Sequence, residues 1–406
     1  MNKDFDFQNL FVLDLANNHQ GDVAHGRAVI AGHGEMVRKH GVRAAFKFQF
    51  RQLDSFIHPA HQEGSDNKHI PRFLSTRLSN DQFAELLAEV RKAGLLAMCT
   101  PFDEESVAVI LDMGFDIIKV ASCSAKDWPL LEAVADASLP VVISTGGLLL
   151  ENIDDLVSFF DHRGVDYALM HCVSIYPIPD DQFHLNQIEI LRERYPHRVI
   201  GWSTHEDPDA TAPVHIAVAK GAQMFERHVG VATQTNQLNA YSSTPDQVDK
   251  WFAAHAAAVK ICGGGGARKV SEIEQVSIDN LRRGVYARKP IKQGVTVARE
   301  QVYFAMPYIE GQLESGRWKD DITANAEFAP DSPLMGEALT IPENPDHHVI
   351  KTALHEVKAL LNKARIALNS DFEVEYSHHH GIAEFRETGA VIINCINRDY
   401  CKKILV

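Results

Sequence analysis

The stretches Ile117-Ile118-Lys119-Val120-Ala121-Ser122 and Val141-Val142-Ile143-Ser144-Thr145-Gly146-Gly147 decide how this chain folds. Each is a short, β-branched apolar run of the kind a strand buried on both faces requires, and each closes on hydroxyl or glycine positions. Related runs recur at Phe11 to Leu15, Ala44 to Phe48, Leu96 to Thr100, Tyr167 to Cys172, Val199 to Ser203 and Met224 to Val229, which makes eight. Helix-like amphipathic stretches such as Asp81 to Ala93 and Pro208 to Lys220 lie between them, several opening on a residue that can cap free backbone N–H groups. Eight strand–helix alternations predict an α/β fold closed into a (β/α)8 TIM barrel. The competing open, doubly wound sheet is weakened because no glycine-rich dinucleotide fingerprint follows the first strand. In a barrel the C-terminal strand ends share one pocket. Lys47-Phe48-Gln49, Thr100-Pro101-Phe102, Lys119 to Ser122, Ser144 to Gly147, Ser203-Thr204-His205 and Glu226-Arg227-His228 therefore outline a single site.

Beyond the eighth run, the helix-like stretch Pro245 to Lys260 gives way to Gly263-Gly264-Gly265-Gly266, a flexible break. The barrel is accordingly expected over residues 1–265 and a linker over 266–281. A small β domain is expected over 282–341, with strand-like Gly284 to Ala287, Val295 to Ala298 and Val302 to Ala305. Residues 342–406 read as a loop, a helix from His348 to Leu368, and strand-like runs at Ile382 to Glu384 and Val391 to Asn394. That extension ends on an apolar strand, which either pairs elsewhere or opens a further domain. The one oversized barrel connection, roughly residues 50 to 80, is polar and His-rich and is a candidate lid or substrate loop.

A length of 406 residues with 45% hydrophobic content suffices for one large core and a second unit. The formal charge of -14, with no Lys/Arg-rich run, argues against nucleic-acid or anionic-membrane partners, while leaving room for a small anion in a locally basic pocket. Six widely separated cysteines form none of the close pairs of a zinc site or disulfide framework, so reduced thiols and a cytoplasmic location are expected. The polar start Met1 to Asp6 does not resemble a signal peptide, and no apolar run approaches the ~20 residues needed to span a bilayer.

His205 and His228 end the seventh and eighth runs. Adjacent parallel strands lie ~4.8 Å apart, so both imidazoles can reach one point above the barrel. This is the arrangement of a two-His metal site, open to substrate, for Mn²⁺, Mg²⁺ or Co²⁺; hydrogen-bonded core histidines are the plainer alternative. Lys47 and Lys119 place ammonium groups in the barrel mouth, where they are costly unless they meet an anion. With Thr100, Ser122, Ser144 and Ser203 they form a phosphate and carboxylate cradle, which the backbone at Gly146-Gly147 can also approach; solvent or a carboxylate partner would explain the lysines otherwise. A Schiff-base lysine is disfavoured because the sixth run ends in His171-Cys172. Asp14, on the first strand, is either a proton carrier near the pocket or an anchor for the loop that follows. His378-His379-His380 cannot all face one ion if extended, because alternate side chains point to opposite faces, so a solvated loop is expected there.

Asn18-His19-Gln20-Gly21-Asp22, Lys47-Phe48-Gln49, Cys99-Thr100-Pro101-Phe102-Asp103, Ile118-Lys119 with Ser122, Ile143 to Gly147, His171-Cys172 with Tyr176-Pro177, Ser203-Thr204-His205 and Glu226-Arg227-His228 together resemble, in matching order, the sialic acid synthase family. The likeness covers about residues 8 to 260. The segment 282–341 looks like that family's antifreeze-like (SAF) domain. The resemblance implies a phosphoenolpyruvate-dependent synthase of nonulosonates that needs a divalent metal, with Mn²⁺ expected first. His205 and His228 would hold the metal, which polarises the aldehyde of an open-chain aldose while C3 of phosphoenolpyruvate attacks it. Lys47, Thr100, Lys119, Ser122, Ser144 and Ser203 would hold phosphoenolpyruvate, Gln49 and Tyr176 would face the sugar, and Asp14 would take the catalytic carboxylate's place. A homodimer, with the SAF-like domain covering the partner's barrel, is also implied.

Departures from the family pattern fall mainly at sugar-contacting positions. Asp14 stands for a glutamate, Ser174 for an asparagine, Ser124 for a glutamate and Met306 for an arginine, and Gln237 to Ser243 replaces a Gly-Pro-Asp-containing loop. The expected substrate is therefore an aldose like N-acetylmannosamine or a modified form of it. Two alternatives stand beside it: a related phosphoenolpyruvate aldol synthase acting on another, phosphorylated sugar, and a degenerate barrel that binds a sugar acid or a partner without turnover. The last segment also resembles the entry to a cupin-like barrel.

Overall fold

A computed structural model describes residues 5–264 and 266–342. The expectations for the chain beyond them, including the 348–368 helix, the later strands, His378 to His380 and the cupin-like entry, lie outside the described residues. The chain divides into two compact units after Arg268, and each is described by itself.

The first unit is a TIM barrel. Strands β1 (Leu10–Asp14), β2 (Arg43–Phe50), β3 (Leu96–Pro101), β4 (Ile117–Val120), β5 (Val141–Ser144), β6 (Tyr167–Cys172), β7 (Ile200–Thr204) and β8 (Met224–His228) pair in parallel and close in chain order. Helices α1 (Val23–His40), α2 (Leu53–Phe56), α3 (His69–Ser75), α4 (Asn80–Lys92), α5 (Glu104–Met113), α6 (Trp128–Asp136), α7 (Leu150–Arg163), α8 (Asn186–Arg194), α9 (Ala212–Ala219) and α10 (Pro245–Cys262) fill the connections. Local chemistry sets several of their ends. Ser79 and Gln82 form a reciprocal capping box at the start of α4, Thr244 and Gln247 do so before α10, and Gly41, at φ 60°, closes α1 in the left-handed conformation.

Period-2 alternation sorts the strand residues into two cores. Phe11, Phe46, Phe48, Val120, Ile143 and Leu169 point outward and pack with the helices, where Trp251 and Phe252 of α10 meet Phe11 edge-on. Leu10, Val12, Ala45, Met98, Ile117, Val142, Ala168, Met170 and Met224 point inward and plug the barrel floor. One step further along, the inward positions become Asp14, Lys47, Thr100, Lys119, Ser144, Ser203 and Glu226, all buried. Gly201 keeps β7 close enough to join this plug: a Cβ there would sit 2.7 Å from the Met224 carbonyl oxygen.

The oversized connection after β2 contains the short helices α2 and α3, which the sequence pattern did not suggest. Tertiary contacts hold it, among them Arg72 of α3 donating to Gln20 Oε1 (2.6 Å) and to the Asn17 carbonyl (3.0 Å).

The second unit opens with helix α11 (Glu272–Asp279), inside the segment expected as linker. Arg282 ties the helix to the sheet region, pairing with Asp279 at 2.8 Å and Glu314 at 2.6 Å. Two small antiparallel sheets follow, β9 (Gly284–Ala287) with β10 (Val302–Ala305), and β11 (Thr323–Ala324) with β12 (Leu339–Thr340). Val285, Val297, Val302, Ile322 and Leu334 are among the residues of its core. The Val295 to Ala298 run forms no strand; it makes a single bridge, at Thr296 to Thr323.

Candidate active site

Four strands bring four charged side chains together above the floor plug. Lys47 Nζ lies 3.0 Å from Asp14 Oδ2 and 2.9 Å from Glu226 Oε1, and Lys119 Nζ lies 3.0 Å from Glu226 Oε2. All four side chains are at most 5% exposed. Lys119 also donates to Ser144 Oγ (2.6 Å), and Ser203 donates to Glu226 Oε1 (3.2 Å). Burial works against every charge in this layer. For Lys47 it is outweighed by Asp14 and Glu226, which raise its affinity for the proton; for Lys119, burial with the repulsion of Lys47 prevails over Glu226 and lowers it. Burial likewise opposes the Glu226 charge, but the two lysines overcome it and hold the carboxyl well below the usual range.

Glu226 is the residue that reading the sequence for chemistry missed. It was visible only as part of a signature, yet its carboxylate bridges both lysines. The signal was strand parity: on β8, residues 224, 226 and 228 share the inward face, so a charge at 226 must enter the lysine layer.

The remaining cradle residues adjoin this layer. The Thr100 hydroxyl is buried with no hydrogen-bond partner, leaving it free for a ligand. Ser122 Oγ accepts from the Gly146 backbone N–H (3.0 Å), and a Cβ on Gly146 would meet the hydroxyls of Ser174 and Ser122 at 2.6 and 2.7 Å. Ser174, one of the departures, thus lies against the same glycine turn.

His205 and His228 sit at the mouth with ring centroids 5.3 Å apart. His205 Nδ1 donates to the Val173 carbonyl (3.1 Å), which leaves Nε2 as the ring's lone-pair nitrogen. His228 Nδ1 is buried without a hydrogen bond, 3.5 Å from Asp14 Oδ2. Burial, with the neighbouring His228, pushes His205 down to about 3, and burial also lowers His228, so both rings are neutral near pH 7, as metal ligation requires. The spacing suits two imidazoles each about 2 Å from a shared ion. No set of three or more His, Cys, Asp or Glu suited to a metal occurs among the described residues. Two neutral imidazoles are a donor set that would hold an ion with most of its positions open.

Gln49 Nε2 donates to Asp14 Oδ2 (3.3 Å), so this amide reaches the same carboxylate as Lys47. The Tyr176 ring packs against His205 at 4.1 Å, and Tyr241 lies 5.2 Å from both Tyr176 and His228. Tyr241, from the loop that departs from the family pattern, is a second aromatic wall that no motif singled out. Behind β8, Arg227 points outward and pairs with buried Glu206, its guanidinium over Trp251. Cys99, Cys123, Cys172 and Cys262 are free thiols. No helix among the described residues is long and apolar enough to cross a membrane.

A closed barrel whose mouth gathers two ammonium groups, several buried hydroxyls and a pair of neutral imidazoles has the layout of a barrel enzyme's active site. The chain belongs to the NeuB family, which matches residues 36–266, and is an enzyme of that phosphoenolpyruvate-dependent, condensing kind. Its structure is similar to that of a spore coat polysaccharide biosynthesis protein E from Chromobacterium violaceum, at 46% identity and a TM-score of 0.79, over 82% of this chain and 100% of that one. It is also similar to an N-acetylneuraminic acid synthetase from Leptospira borgpetersenii solved with citrate, at 26% identity and a TM-score of 0.59, over 68% of this chain and 91% of that one. The N,N'-diacetyllegionaminic acid synthase of Campylobacter jejuni is 25% identical over 299 residues, 70% of this chain and 86% of the relative.

Proposed function

We propose that this chain condenses phosphoenolpyruvate with an open-chain aldose, N-acetylmannosamine-like or modified, to give a sialic-acid-like nonulosonate and phosphate. The observation that carries the reading is the stacking of two layers in one mouth: Lys47 and Lys119 on Glu226 below, His205 and His228 above. Phosphoenolpyruvate carries a phosphate and a carboxylate. Lys47, Lys119, Thr100, Ser122, Ser144 and Ser203 offer donors to both, with the Gly146 turn alongside.

A divalent ion on His205 and His228, Mn²⁺ first and Mg²⁺ or Co²⁺ next, would supply Lewis-acid polarisation of the aldehyde oxygen. Tyr176 and Tyr241 wall the aldose, and Gln49 gives it a polar contact. With phosphoenolpyruvate fixed by the lysines, its C3 forms the new bond to the aldehyde carbon. The aldehyde oxygen takes up a proton, water adds at C2 with loss of one proton, and the C2–O bond to phosphate breaks as the new C2 hydroxyl gives up its remaining proton and becomes the ketone oxygen. Asp14, within 3.0 Å of Lys47 and 3.5 Å of His228, is placed to orient water or accept that proton.

We read the second unit as SAF-like and the protein as a cytoplasmic homodimer in which that unit covers the partner's barrel. Catalytic function then belongs to residues 1–265. The test is Mn²⁺-dependent phosphate release from phosphoenolpyruvate over a panel of N-acylated and neutral aldoses. Release with one sugar, lost in His228→Ala, is expected. Phosphoenolpyruvate binding without release from any sugar would overturn the reading in favour of a non-catalytic barrel.

A further inference from the structure

A cavity of about 400 Å³ lies just beyond the mouth, and its inner wall consists of the residues that follow the cradle on three strands. Arg51 comes after Gln49, Phe102 after Thr100-Pro101, and Cys123 after Ser122. The outer wall is the connection after β2, with Phe73 and the exposed His58, His61 and His69 at the rim.

Arg51 is the unusual feature. Its guanidinium lies between two rings, 3.6 Å from the Phe102 centroid and 4.1 Å from that of Phe73. One nitrogen, Nη2, donates to Gln49 Oε1 (3.1 Å), while Nε is buried without a partner. Arg51 makes no ion pair among the described residues. Burial lowers it to about 10, partly offset by nearby Cys123 and Asp14, so it remains charged at neutral pH. Arg51 is half-buried; a cation drawn away from water is normally matched by an anion, and a guanidinium clamped between aromatic faces is held ready for a planar, two-point contact. Asp14 and Asp103 are near enough to act on Arg51 but neither pairs with it, so the protein supplies the clamp and the charge without a directly paired anion.

The position of Arg51 indicates where that anion comes from. A relay of contacts runs from His228 to Asp14 (3.5 Å), from Asp14 to Gln49 (3.3 Å) and from Gln49 to Arg51 (3.1 Å). An aldose with its aldehyde at the imidazoles and its chain along Gln49 would point its far end into the cavity. We propose that the Arg51 cavity is a specificity subsite for an anionic group, a phosphate ester or a carboxylate, on the end of the aldose remote from its aldehyde. This rests on the proposed condensation and names the class of sugar that the site takes. The second anion site that a phosphorylated substrate needs was not legible as an Arg/Lys cluster, because one arginine and the rim imidazoles from a separate loop make it.

The experiment compares kcat/KM, in full-length protein with Mn²⁺ and phosphoenolpyruvate, for N-acetylmannosamine, its 6-phosphate and the corresponding 6-carboxylate. Charge-assisted contacts of this kind correspond to roughly ten- to hundredfold in specificity. The wild type should favour an anionic sugar by that factor, and the favoured form identifies the group. Arg51→Gln should cut the anionic-to-neutral ratio at least about tenfold, with Arg51→Lys retaining part of it. Should Arg51→Gln not fold, Ile70→Trp, which fills the cavity from its rim, carries the same expectation. Preference for the neutral sugar, or an unchanged ratio in the variants, overturns the subsite while leaving the condensation intact. If no aldose is turned over, the condensation fails, and calorimetry with the 6-phosphate decides the subsite: binding lost in Arg51→Gln upholds it, and no binding to wild type overturns it.

Discussion

Replacing Glu226 by Gln tests whether the buried charge layer is built around that carboxylate. Glu226 receives Lys47, Lys119 and Ser203 at 2.9, 3.0 and 3.2 Å, and no member of the two ion pairs is more than 5% exposed. Two ammonium groups face two carboxylates, Asp14 and Glu226, so the empty layer is formally neutral. In Glu226→Gln one positive charge becomes unmatched, and Lys119 keeps only Ser144. Breaking a buried pair on one side costs about 3–5 kcal/mol, and the retained amide oxygen places this variant at about 3. At about 2–4 °C per kcal/mol for a domain of this size, melting should fall by roughly 6 to 12 °C. Phosphoenolpyruvate should repair the imbalance, because an anion among the lysines replaces the lost charge. In metal-free thermal melts the ligand should therefore raise the midpoint of the variant by more than that of the wild type. A midpoint within about 2 °C of wild type, or a ligand shift no larger than the wild type's, would refute the assignment of Glu226 as the internal counter-ion.

Gly146→Ala sets a methyl 2.6 Å from Ser174 Oγ and 2.7 Å from Ser122 Oγ, so it should raise the KM for phosphoenolpyruvate about tenfold or more in steady-state assays, with overpacking costing about 1–3 kcal/mol. Asp14→Glu should lower turnover rather than raise it: Asp14 is 1% exposed with Lys47, Gln49 and His228 already within 3.0 to 3.5 Å, and an added methylene has no room. His19, buried and further opposed by Arg72 and His25, is held to about 4 against 6.5 when unfolded. The unfolded chain thus binds the extra proton between those values, so this group's contribution is present above pH 6.5 and lost as pH falls toward 4. Melting temperature should fall less steeply over that window in His19→Gln.

Much of the barrel was legible because each strand is an apolar run closed by polar residues, as at Ile117 to Ser122. The convergence of Lys47, Lys119 and Ser144 could be read for the same reason: they occupy inward positions just above the plug. What sequence concealed was pairing. Parity on β8 turns Glu226 inward, but only the closed barrel shows that it pairs with two lysines that lie 107 and 179 residues away. Helices α2 and α3 were hidden because each is too short for a periodic stripe and is held by long-range contacts such as Arg72 to Gln20. Val295 to Ala298 looked like a strand from its valines, but tertiary context gave only Thr296 a bridge partner.

On β8 the inward Glu226 and His228 flank the outward Arg227, which is locked to Glu206 behind the barrel. A one-residue deletion within Met224–His228 would therefore swap the two faces. It would drive a guanidinium among the lysines and push a carboxylate and an imidazole into the apolar layer beneath α10. Length changes in this strand would be far more damaging than most substitutions. Anyone diversifying the enzyme must keep the frame of these five residues intact.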